Sequence, residues 1–377
     1  MAGIYLHIPF CKTRCIYCDF YSSTQSNLIK DYISALCREL EMRKEYLQDE
    51  SIETIYFGGG TPSLLSEKDF HQIFDIIEHT YGLSACKEIT LEANPDDLSP
   101  EYLETLSHLP FNRISIGIQT FNNATLRLLK RRHNAEQAIR AVEHCRQAGF
   151  NNISIDLIYG LPGETEETWQ KDLEQAISLN VEHISAYHLT YEKGTPIYNM
   201  LQKKQIKEVD EESSIRFFTL LVNNLTAAGY EHYEISNFCL PEKYSRHNTS
   251  YWKGIKYLGC GPSAHSFDGE TREWNVSSIT SYIKGINTNE RSYKTEHLDT
   301  NTRYNELIIT SIRTRWGLSL EQVSLTFGQN YLDYCLSMAR KFIENGQLEI
   351  LNEHLKLTEE GIFISDGIMS ELLKVED

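Results

Sequence analysis

Six apolar, β-branched runs, each followed by a stretch of helical periodicity, constrain this 377-residue chain more than any other feature. They are Ile4 to Ile8, Thr54 to Gly58, Glu88 to Glu92, Arg113 to Ile118, Ile153 to Ile158 and His183 to Leu189. Alternation of this kind marks successive βα units, in which helices cover a parallel sheet. Ser66 to Tyr81 shows the helical type. Ser66 stands at an N-cap position with Asp69 three residues on, Phe70, Ile73, Phe74 and Ile77 share one face, and Gly82 follows the end. Eight units close a TIM barrel. Six predict an α/β fold built on an open, partial (β/α)6 barrel of the TIM type.

In such barrels the chemistry sits at the carboxyl ends of the strands and in the loops beyond them. The first run ends in a loop carrying Cys11, Cys15 and Cys18 at Cys-x3-Cys-x2-Cys spacing. Three thiolates on one tight loop can hold three corners of a cubane [4Fe-4S] cluster, leaving the fourth iron open to a small molecule. Structural zinc needs a closed tetrahedral set, and no later Cys-x2-Cys or His-x3-His pair completes one. The second run leads into Gly58-Gly59-Gly60-Thr61-Pro62, where glycines let the backbone approach a ligand and expose its N–H and C=O groups. Glu92 closes the third run, Gln119 follows the fourth, and Asp156 lies within the fifth. Buried polar groups need partners, and a ligand is one such partner.

Beyond residue 205 the pattern changes. A helix is expected from Val209 to Ala228, then Tyr233-Glu-Ile-Ser-Asn-Phe238 and the glycine-rich Gly259-Cys-Gly-Pro-Ser-Ala-His-Ser266. The polar stretch from Asn287 to Asn301 reads as a linker. Helices at 303–313, 319–326 and 331–345, followed by strands Leu348 to Leu351 and His354 to Leu357, predict a winged-helix-like module. The expected divisions are therefore a barrel over 1–205, an added α/β segment over 206–290 and the C-terminal module over 300–377. Winged helices often bind DNA, yet from Thr300 to Asp377 seven Lys/Arg face twelve Asp/Glu, which favours a packing or lid module. A formal charge of −17 opposes nonspecific binding to nucleic acid or anionic lipid. Nine cysteines, with no signal peptide and no apolar run long enough to cross a bilayer, point to a reducing, cytoplasmic setting with free thiols.

The string Tyr5-Leu-His-Ile-Pro-Phe-Cys11-Lys-Thr-Arg-Cys15-Ile-Tyr-Cys18-Asp-Phe20 resembles the radical S-adenosylmethionine (SAM) superfamily. Within it, the string is similar to the coproporphyrinogen III oxidase-like branch, which holds oxygen-independent coproporphyrinogen III dehydrogenases and HemW-type heme chaperones. The resemblance implies that the open iron chelates the amino and carboxylate groups of SAM. It implies further SAM contacts for Tyr5, the backbone of Tyr17, Gly59, Gly60, Thr61, Glu92, Gln119, Asp156 and Arg131. The choice of Arg131 over the adjacent Arg132 rests on spacing from Gln119.

Two departures separate the chain from the dehydrogenases of that branch. Those enzymes carry a further cysteine two positions after the third ligand, where this chain has Phe20, and a long extension before the motif, where only Met1-Ala-Gly-Ile4 stands here. His247-Asn248-Thr249-Ser250-Tyr251-Trp252 fits the His-Asn-x-x-Tyr-Trp motif of the chaperones. An imidazole from His247 can ligate heme iron, and Tyr251 and Trp252 can wall a porphyrin. His265, Cys260 and His188 are rival ligands. The resemblance thus implies a cytoplasmic carrier that binds heme and transfers it to an acceptor protein, membrane-bound or otherwise, with the cluster and SAM regulating transfer or supporting a further reaction. The alternative is the dehydrogenase reaction, radical decarboxylation of propionates to vinyls; a third is radical chemistry on an unrelated substrate.

Overall fold

The computed structural model describes residues 1–48 and 50–375. The six runs are strands β1 (Ala2–Ile8), β2 (Ile52–Gly59), β3 (Glu88–Ala93), β4 (Arg113–Gln119), β5 (Ile153–Tyr159) and β6 (His183–His188). They pair in parallel in chain order. The helix Glu67–Tyr81 carries the expected Ser66–Asp69 capping box and ends at Gly82 with φ 74°, a left-handed turn that suits glycine.

The later segment continues this sheet on both sides. At one side β7 (Glu231–Glu234) and β8 (Asn237–Cys239) pair antiparallel, and β8 joins β6. At the other, β9 (Tyr257–Cys260) runs parallel to β1, and β10 (His265–Phe267), β11 (Thr271–Asn275) and β12 (Tyr293–His297) follow antiparallel. The result is one twelve-stranded sheet with β12 and β7 as its edges, not a closed barrel. The expected linker from Asn287 to Asn301 therefore contains a strand. Every residue of β12 is exposed, so an edge strand left its polar composition looking like a loop.

Alternation sorts the side chains. Ile4, Leu6 and Ile8 of β1 are buried in the main apolar core, whereas Gly3, Tyr5 and His7 look to the inner face. That inner face is polar. Thr54, Glu88, Thr90, Arg113, Ser115, Ser154, His183 and Ser185 are all buried there. At the amino ends of the strands it is sealed by the helix Arg246–Trp252. The Glu88 carboxylate accepts from the backbone N–H groups of Arg246 and His247, both at 2.9 Å. The His247 ring occupies the space left by Gly3, where a Cβ would stand 3.2 Å from Cε1.

On the helix-covered side, Glu39 of the helix Ile29–Met42 is fully buried. It accepts from the Gly261 N–H (2.8 Å), Asn275 Nδ2 (2.7 Å) and the Tyr282 hydroxyl (2.7 Å), fastening the β9–β11 extension to the barrel. The helices Thr300–Ile312, Leu320–Phe327 and Gln329–Glu344, with β13 (Leu318–Ser319), β14 (Leu348–Leu351) and β15 (His354–Leu357), enclose a second apolar cluster around Tyr304, Ile308, Ala339 and Leu355. Their small sheet has the order β13-β15-β14.

Glu39→Ala should cost about 3–5 kcal/mol of stability, because three buried donors lose their acceptor. Glu41→Ala, exposed two residues further along the same helix, should stay within about 0.5 kcal/mol. Chemical denaturation of both variants checks this.

Candidate functional site

A cavity of about 510 Å³ opens at the carboxyl ends of β1 to β6, within the size range of cofactor sites. It gathers Cys11, Cys15, Cys18, Tyr17, Gly59, Gly60, Thr61, Glu92, Gln119, Arg131 and Asp156, which enter the chain on different loops and strands.

The cysteine loop is held by its neighbours. The Cys11 N–H donates to the Ser23 carbonyl (2.9 Å), and Ser23 N–H to that of Pro9 (2.6 Å). Between the second and third cysteines, Ile16 is buried in a small apolar cluster with Leu129, Ile158, Leu161, Leu189 and Ile197. Its N–H donates to the Leu129 carbonyl and its carbonyl accepts from Ile197 N–H. One isoleucine thus fixes the loop while the flanking thiols stay at the cavity.

The glycine turn presses against that loop. Gly59 has φ 101°, and a Cβ on it would meet the His7 ring at 2.6 Å. A Cβ on Gly60 would meet the Phe10 carbonyl at 2.7 Å and that of Ile8 at 2.8 Å. Beside it the Thr61 hydroxyl donates to Cys11 Sγ at 3.5 Å.

Arg131, not Arg132, reaches the thiols. Its Nη1 donates to Cys15 Sγ at 3.4 Å, its Nη2 to Asn94 Oδ1 at 2.6 Å and to the Gly117 carbonyl, and its buried Nε has no partner. Arg132 instead pairs with Asp96 and Asp97. Asp97 also takes Lys12 (2.7 Å) and Ser63 (3.1 Å), and Asn94 Nδ2 donates to Thr61 (3.2 Å). Sequence reasoning misses the supporting roles of Asn94 and Asp97; the polar Asn94-Pro-Asp-Asp97 stretch directly after β3 is the local signal that could have found them.

Glu92 Oε1 accepts from the Tyr56 hydroxyl (2.8 Å) and Oε2 from the Gly59 N–H (3.1 Å). Burial pushes its pKa up to about 7, with Asp156 adding repulsion, and burial pushes Asp156 up to about 6. Gln119 sits in a left-handed conformation, φ 74°, with its amide over Gly117.

Five of the expected site residues lie away from this cavity. Tyr5 does not line the cavity; it lies beneath, its hydroxyl 3.1 Å from His7 Nδ1 and its ring stacked near Tyr56. His247, Asn248, Tyr251 and Trp252 lie at the opposite ends of the strands. His247 is 1% exposed, with Nδ1 2.8 Å from Thr54 Oγ1 and Nε2 2.8 Å from the Tyr251 hydroxyl, so neither nitrogen is open to iron in this conformation. Trp252 packs under the Arg313 guanidinium, 4.3 Å from its ring centroid.

The residues fit an iron–sulfur cluster with a small charged ligand. The donors are three thiols of one loop, a glycine turn lies at the cavity so close to that loop that no Cβ fits between them, and a buried Arg131 Nε lacks a partner. Among the described residues no three His, Cys, Asp or Glu side chains gather around a single ion.

The radical SAM superfamily profile matches residues 5–176, and the HemN C-terminal domain profile matches residues 298–364. A heme chaperone HemW of Bacillus subtilis is 33% identical over 376 residues, covering 99% of each chain. One from Mycobacterium tuberculosis is 32% identical over 378 residues, covering 98% of this chain and 94% of the relative. The solved structure of coproporphyrinogen III oxidase (HemN) from Escherichia coli, a radical SAM enzyme, superposes with TM-score 0.86 over 99% of this chain and 90% of that one. At 22% identity that likeness is one of fold.

Because the folded pKa values of Glu92 and Asp156 lie above their unfolded ones, their contribution to stability is full below about pH 4 and is lost as pH rises through about 6 to 7. Cofactor-free protein should therefore lose part of its melting temperature between pH 5.5 and 8. Glu92→Gln should flatten that slope, and calorimetry at several pH values checks it.

Proposed function

The chain belongs to the HemW family of the radical SAM superfamily, and from that premise we propose that it is a heme chaperone, which binds heme and passes it to an acceptor protein. The observation that carries this reading is likeness to HemW relatives along the whole chain, joined to a cavity with three cysteines of one loop at its rim. Phe20 supports carriage over porphyrinogen turnover. It stands where the dehydrogenases of the branch carry a fourth cysteine, and it is 65% exposed.

In this proposal Cys11, Cys15 and Cys18 hold a [4Fe-4S] cluster as thiolates, and Gly59, Gly60, Thr61, Gln119, Glu92 and Asp156 receive SAM. When bound, the pair supplies one-electron chemistry at an open iron. Thr61 and Arg131 donate to thiolate sulfur, which favours the charged form and tunes the cluster potential. The Gly59–Gly60 backbone accepts close approach by the methionine end of SAM. Glu92 and Asp156, once ionised, accept from hydroxyl or ammonium groups and complement a sulfonium charge. The protein works in the cytoplasm on this reading; no helix among the described residues is long and apolar enough to cross a membrane.

Anaerobic reconstitution should yield about four irons and four sulfides per chain. Cys11→Ala, Cys15→Ala or Cys18→Ala should each abolish the cluster absorption, whereas Cys145→Ala and Cys335→Ala, both remote and buried, should not. Gly60→Ala should impair assembly by displacing the Phe10 carbonyl. The reconstituted protein should bind hemin with a Soret band and, with SAM and reductant, should not convert coproporphyrinogen III. Sustained turnover in that assay would install the dehydrogenase reading instead.

A further inference from the structure

The rivals to His247 as iron ligand have different surroundings. Cys260 is fully buried, with Glu39 and Arg43 of the covering helix as its charged neighbours. His188 is engaged at both nitrogens, Nδ1 3.0 Å from the Leu189 carbonyl and Nε2 2.9 Å from Ser214 Oγ. His265 is exposed, and among the described residues neither of its ring nitrogens has a hydrogen-bond partner. Its ring stacks on Trp274, with centroids 5.6 Å apart and planes at 18°.

The register extends that pair into a row. His265 of β10 opposes Trp274 of β11, and Trp274 opposes Lys294 of β12. Directly opposed residues of antiparallel strands place their side chains on one face. An imidazole, a flat apolar ring and an ammonium therefore stand side by side across three strands, about 5 Å per strand. Two residues along, Phe267 opposes Arg272, which adds an aromatic ring to the same face; Arg272 is itself opposed by Glu296 and paired with Glu306 at 2.6 Å, so its charge is met within the protein. Lys294 has no such partner among the described residues and can meet a carboxylate of a planar ligand. The register fixes where the row lies along the strands. Phe267 opposes Tyr257, so His265 stands beside Gly259, which pairs with Tyr5 in the middle of β1; the row is level with the tyrosine that lies beneath the cavity.

We propose that His265 ligates the iron of a heme laid on this row, with Trp274 fixing the imidazole plane and Lys294 pairing with a propionate. The assignment rests on the carrier reading and names its heme site. Partial desolvation, then the Arg272 guanidinium, hold the imidazole below its ordinary pKa, so its lone pair is free at neutral pH. Resident cofactors are mostly enclosed. An open sheet face instead leaves one side of the porphyrin accessible to an acceptor.

The test is titration of the full-length chain with hemin and, in parallel, with metal-free protoporphyrin IX, which cannot form the axial bond. His265→Ala should weaken hemin binding by about tenfold or more, change the spin state seen by electron paramagnetic resonance, and leave metal-free porphyrin binding unchanged. Added imidazole should restore the wild-type spectrum. Lys294→Glu should weaken both probes, and His297→Ala, on the opposite face of β12, should weaken neither. Because His265 is exposed, its variant should keep the wild-type melting temperature. Hemin isotherms and spectra unchanged in His265→Ala would overturn this site and leave the carrier reading standing. A wild-type chain that binds no hemin would remove both.

Discussion

The Glu88 carboxylate, which accepts from the backbone N–H groups of Arg246 and His247, joins the returning chain to the inner face of the sheet. Six parallel strands leave an open trough whose inner face carries Thr54, Arg113, Ser154 and His183 in place of an apolar filling. Such groups are costly unless paired. The helix Arg246–Trp252 supplies partners: His247 takes Thr54, and the chain before the helix brings Tyr233, whose hydroxyl lies 2.7 Å from His183. The sealed amino end allows the carboxyl end to stay open.

At that open end, position follows from packing more than from the polar groups. Ile16 buries itself and so sets where Cys15 and Cys18 stand. Gly60 lets the second strand's turn come against the first strand's loop. Glu92 and Asp156 then face the cavity in a form whose ionisation burial opposes, and a cationic ligand would offset that cost.

The His-Asn-x-x-Tyr-Trp motif illustrates how one sequence signal can carry two meanings. Its residue types suit a porphyrin, yet the fold uses His247 as a plug and Trp252 as a surface for Arg313 of the C-terminal module. An imidazole with neither nitrogen engaged lies elsewhere, at His265, one of the rival ligands, in the glycine-rich segment.

The sequence by itself determined the six strands, the cysteine loop, the glycine turn and the inward Glu92, Gln119 and Asp156, because these depend on periodicity and spacing within short segments. It also placed β14 and β15 at their observed ends. Only the tertiary structure decided which of Arg131 and Arg132 reaches a thiol, whether His247 is buried and paired or open, and whether Tyr293–His297 is linker or strand. Each choice turns on a partner far away in the chain: Cys15 for Arg131, Thr54 for His247 and Thr271 to Asn275 for β12. Local pattern fixes which way a side chain leaves its own element, but whether it is buried, paired or left free depends on what the fold brings opposite it.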